Sequence, residues 1–75
     1  MKNFIGKKVE VKAAFAGLGG EGDYECYQGY VRDASEDFMY MDLEYVLYGR
    51  VVKNEIHGKL AINKKYIITI FELND

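Results

Sequence analysis

The chain has little of what usually staples or punctuates a small domain. Its 75 residues include one cysteine, one histidine, no proline and no tryptophan. A single cysteine excludes an intrachain disulfide. A zinc finger, a haem attachment site or a His-based cage has too few ligands to be expected, so neither metal nor cofactor is anticipated. No apolar stretch approaches the ~18–20 residues of a membrane span. Residues 1–8 are basic but lead into no apolar run, so a secretory signal is not expected; a cytoplasmic location with Cys26 reduced is. A chain this short buries only ~60% of its unfolded surface, and such a core supplies only ~3–5 kcal/mol. Packing against partner subunits is the usual supplement, which favours a homo-oligomer.

What is present favours strands. Val, Ile, Thr, Tyr and Phe total 24 residues, against 10 for Ala plus Leu, the reverse of a helical bundle. Hydrophobic residues at 49% with 29% charged argue for a folded chain. Val9, Val11, Ala13 and Phe15 alternate with Glu10 and Lys12, so 8–15 reads as a half-buried first strand. Ahead of it, 2–6 can form one helical turn ended by Gly6, with Phe4 and Ile5 plugging one end of the fold. Residues 16–23 hold four of the eight glycines and read as a hairpin loop. The acidic, strand-like Asp23-Tyr24-Glu25 that follows does not suit a phosphate loop.

Residues 24–34 read as a second strand, with Gly29 marking a bend or a close backbone approach. Ser35-Glu36-Asp37 supplies a turn, and 38–43 a third strand with Met39, Met41 and Leu43 on one face and Phe38, Tyr40 and Asp42 on the other. Tyr48-Gly49-Arg50 looks like a reversal followed by a strand at Val51-Val52. Residues 53–58 read as an insertion or a long twisted hairpin. A short strand over 59–62, a tight connection at Asn63-Lys64-Lys65 and a last strand over 66–71 complete the chain. Ile67, Ile68, Ile70 and Phe71 put apolar side chains on both faces of that last strand. Such an edge is sticky unless a neighbouring subunit, the glycine-rich loop or the N-terminal turn covers it.

This order of features resembles the Sm and Sm-like proteins and their bacterial relative Hfq. Ile5-Gly6-Lys7-Lys8-Val9-Glu10-Val11-Lys12 is similar to the family's start, where a short helix enters a bent barrel. Gly29, Glu36, Phe38, Met39, Tyr40, Met41 and Leu43 look like its first motif, with a turn one residue longer. Residues 62–68 stand in the place of its second motif. Tyr40 replaces the base-reading asparagine, Asn63 the stacking arginine and Lys64 the glycine, so uridine specificity is not implied.

The resemblance implies an all-β fold: a small, strongly bent, five-stranded antiparallel SH3-type barrel with a short N-terminal helical turn, in a single domain over 1–75. It also implies a homo-oligomeric ring that binds single-stranded RNA or DNA without catalysis. Phe38 and Tyr40 would stack on bases, Asn63 read a base edge, and Lys64 and Lys65 meet phosphates. For the two aromatics, packing in the barrel or an interface is an equal alternative, and for the lysines a solvated turn. An oligomeric structural or protein-interaction module is the rival reading.

Charge bears on this choice. The net charge is −2 with a pI near 5.3, not the basic footprint of a strong phosphate binder. The charges are segregated, however, with +3 over 1–12, −7 over 21–44 and +4 over 50–65. The two basic segments would make a positive rim if they shared a face, or would join acidic segments of neighbouring subunits. Enzyme chemistry is not expected. His57 has no partner recognisable by spacing, Cys26 sits in an apolar strand, and Glu36, Asp37, Asp42 and Glu44 match neither an EF-hand loop nor an acid–base pair.

Overall fold

A computed structural model describes residues 2–14, 25–48 and 52–73. Five strands make one antiparallel sheet: β1 (Lys8–Ala13), β2 (Glu25–Ala34), β3 (Phe38–Tyr48), β4 (Val52–Asn63) and β5 (Ile67–Glu72), in the order β4-β3-β2-β1-β5. The fold is all-β, as the composition predicts. The closure expected of a barrel is not formed: no ladder joins β4 to β5 among the described residues, so these strands are the edges of an open sheet. A 3-10 turn at Lys2–Phe4 precedes β1, and a second, Lys64–Tyr66, links β4 to β5.

The period-2 pattern builds the core. Val9, Val11 and Ala13 of β1 are fully buried, facing Tyr27 and Val31 of β2 and Met39, Met41 and Leu43 of β3, with Ile62 of β4. Each Val, Leu, Ile or Met among them contributes ~1.5–3 kcal/mol relative to exposure. The pattern slips once in β3, where the register shifts between Leu43 and Tyr45 and burial resumes at Val46. Phe4 packs on this core, but Ile5 is 40% exposed and does not plug the end with it. Gly6, at φ +85°, turns the chain so that its N–H donates to the Val31 carbonyl at 2.7 Å. Only glycine takes that conformation without strain.

Gly29 sets the shape of the centre. A β-carbon on it would lie 2.1 Å from the Asp42 carbonyl oxygen of β3. The β2–β3 register shifts at Gln28/Gly29 and again at Val31/Asp33, and such bulges bend a strand and increase its twist. The close approach read from the sequence is therefore present. Residues 53–58 resolve as hairpin rather than insertion: β4 is one strand of 12 residues pairing with β3 from Tyr48↔Val52 to Phe38↔Asn63. Along β5, Ile67 and Ile70 pack on the core, while Ile68 and Phe71 are 53% and 64% exposed. Phe15, the glycine-rich segment 16–23, Tyr24 and the 49–51 reversal lie outside the described residues.

Alanine at Gly29 must force β2 and β3 apart, because the obstructing atom is backbone. Overpacking of this kind costs at least ~2 kcal/mol, so Gly29→Ala is expected to lower the thermal midpoint by roughly 10 °C. Gly58→Ala, whose β-carbon meets nothing within 4 Å, serves as the comparison and is expected to melt close to the parent. Melting the three proteins side by side by circular dichroism checks this.

Candidate nucleic-acid interface

Two turns meet at one end of the sheet. In the first, the Ser35 N–H donates to the Phe38 carbonyl at 2.8 Å and the Phe38 N–H to the Ser35 hydroxyl at 3.1 Å, the local side-chain capping that serine favours in turns. In the second, Asn63 caps the 3-10 turn by accepting from the Lys65 N–H at 3.1 Å. The turns are tied together by the Lys64 N–H, which donates to the Asp37 carbonyl at 2.8 Å. Phe38 pairs with Asn63 in the β3–β4 ladder. All five residues singled out from the sequence, Phe38, Tyr40, Asn63, Lys64 and Lys65, therefore gather here.

Strand alternation puts Phe38 and Tyr40 on the face opposite the core, 38% and 39% exposed. Their rings stack with centroids 6.3 Å apart and planes at 29°, within the range of an offset aromatic pair. The core is complete without them. Of the two lysines, Lys64 is half-buried and Lys65 exposed, its Nζ 5.0 Å from the centroid of Tyr66.

The segregation of charge along the sequence does not survive folding as two simple patches. Lys7 pairs with Glu72 at 3.2 Å and Lys8 with Glu44 at 3.5 Å, so N-terminal bases meet acids from other segments. Arg32 pairs with Asp42 at 3.3 Å, and Lys53 lies 4.0 Å from the Tyr45 ring centroid. Of the acids of 36–44, Asp42 and Glu44 are taken up in these pairs. Among the described residues no group of His, Cys, Asp and Glu is placed to hold a metal ion. His57 Nε2 lies 2.6 Å from the Glu55 carboxylate, both exposed on the β4 edge. Cys26 is half-buried, and burial is the largest cause pushing its thiol above the ordinary 9.0, with Glu10 adding and Lys12 opposing. A thiol held protonated in this way is a poor nucleophile. No described helix is long and apolar enough to cross a membrane.

Sequence reasoning missed what stands beside Tyr40. A groove of about 490 Å³ is lined by Arg32, Asp33, Tyr40, Met41, Lys59, Leu60 and Ala61. These residues come from β2, β3 and β4 through ladder register, and no local spacing signals their meeting. No family model matches the chain, and neither curated proteins nor solved structures give a match.

Asn63→Ala removes the acceptor for the Lys65 N–H. Loss of a cap costs ~1 kcal/mol, which for a domain of this size lowers the thermal midpoint by ~4–8 °C. Asn63→Asp keeps the acceptor and is expected to recover most of that loss, a contrast read directly from the two melting curves.

Proposed function

We propose that the chain is a non-catalytic, Sm-like β module that assembles with copies of itself into a ring and binds single-stranded RNA or DNA at the joined turns. The observation that carries the reading is the convergence just described. A stacked and exposed aromatic pair lies beside a turn carrying two lysines and an asparagine, and the backbone bond between Lys64 and Asp37 holds the two turns together. Aromatic faces take any base, and stacking is worth ~1–3 kcal/mol per base. Lys64 and Lys65 supply phosphate contacts. With Oδ1 committed to the Lys65 N–H, Asn63 offers its amide N–H groups to a base edge.

Assembly is supported by the edges. β4 and β5 carry unpaired backbone groups on opposite sides of the sheet, and residues 53–59 of β4 are exposed throughout. Ile68 and Phe71 add apolar surface to β5. Two different edges pair head to tail, which closes into a ring where the rotation allows. Ile67 and Ile70 serve the core as well as this edge. The bent five-stranded sheet is the part of the Sm-like barrel present in one chain, and closure is left to the neighbours.

Titration of a fluorescein-labelled single-stranded oligonucleotide at low salt, followed by anisotropy, tests the site. Phe38→Ala is expected to weaken binding by roughly 5- to 150-fold, the equivalent of one lost stack. The double variant Lys64→Ala, Lys65→Ala is expected to flatten the dependence of affinity on salt by about two phosphate contacts. Binding that is indifferent to both changes sinks the site and favours the protein-interaction reading.

A further inference from the structure

The groove beside Tyr40 borders the joined turns, and nothing described so far occupies it. Ala61 stands directly opposite Tyr40 in the β3–β4 ladder and leaves an open floor beside the tyrosine ring. Phe38, stacked on Tyr40, is not among the lining residues, so the two sites meet at that one ring. At about 490 Å³ the groove falls within the ~300–1,000 Å³ of small-ligand sites.

Two cations flank it. Arg32 is the extra residue of the bulge between Val31 and Asp33, a position that re-aims a side chain, and its Nη1 reaches Asp42 Oδ1 at 3.3 Å. Lys59, the ladder partner of Asp42 on β4, lines the groove as well. The Arg32–Asp42 pair is about half exposed on both partners, a setting where an ion pair is worth at most ~1 kcal/mol, so an incoming phosphate can take the guanidinium at little cost. Asp33, the acid among the lining residues, has Oδ1 accepting from the Ala34 N–H at 2.8 Å.

We infer that the groove seats one further nucleotide of the same single strand, an inference that rests on the nucleic-acid reading above. The base lies over Ala61 against Tyr40, and the phosphate sits between Arg32 and Lys59. Every base offers a face to the tyrosine ring, so the groove takes any of them.

Anisotropy titrations with labelled hexanucleotides of cytidine, adenosine and uridine test this, using Ala61→Leu to fill the groove and Lys59→Gln to remove one cation. Both positions are exposed, and circular dichroism verifies folding of each variant. Ala61→Leu is expected to weaken all three hexamers about tenfold, the value of one stacked base. Lys59→Gln is expected to make the salt dependence shallower by about one phosphate contact. If both variants bind all three hexamers like the parent while Phe38→Ala loses binding, the groove assignment is overturned and the joined-turn site stands. If the parent binds none of the three at low salt, both fall together.

Discussion

The carbonyl of Asp42 lies where a β-carbon on residue 29 would have to be, and much of the architecture follows from that one approach. With no side chain at Gly29, β2 and β3 run close together, and the register shifts at Gln28/Gly29 and again at Val31/Asp33. The slip at Val31/Asp33 makes Arg32 the unpaired residue and sends it across β3. The slip at Leu43/Tyr45 lets a single β3 of 11 residues keep Met39, Met41 and Val46 in the core. Phe38 and Tyr40 fall on the opposite face as a consequence, and the turn before them closes onto the turn after β4. The same carbonyl belongs to the residue whose carboxylate pairs with Arg32.

Several of these features were legible in the sequence. Alternation at Val9, Val11, Ala13 and at Met39, Met41, Leu43 named the core faces, because period-2 burial is written residue by residue. Gly29 read as a close approach because an isolated glycine among strand-formers has few other uses. Phe38, Tyr40, Asn63, Lys64 and Lys65 were named individually, and their meeting depends on a hydrogen bond between Lys64 and Asp37 that no spacing rule encodes. Ile5 faces outward where Phe4 faces in, and a turn of apolar residues does not say which of two neighbours faces inward. The groove around Ala61 escaped notice for a related reason: it is assembled from three strands whose register is set by bulges, and bulges leave no compositional mark beyond glycine. The continuity of β4 through residues 53–58 was hidden by its polarity, which is what a strand exposed on an edge displays.

The charge pattern carries a similar lesson. Blocks of opposite sign along the chain suggest opposed patches, but antiparallel pairing brings distant segments together, and Lys7 with Glu72 and Lys8 with Glu44 neutralise one another locally. The basic residues that bear on the proposed function are therefore few and specific: Lys64 and Lys65 at the joined turns, Arg32 and Lys59 at the groove. A modest affinity with marked salt dependence is the expectation for so small a set.

The same open sheet links stability and function in the proposal. A thin core whose described sheet ends in β4 and β5 gains from pairing β4 of one copy with β5 of the next, and that pairing would repeat the aromatic pair and its lysines around one axis. Multi-angle light scattering at micromolar concentration tests this most directly. The account predicts a discrete mass that is a whole multiple, greater than two, of the 8.6 kDa chain, and a monomeric 8.6 kDa particle would contradict it.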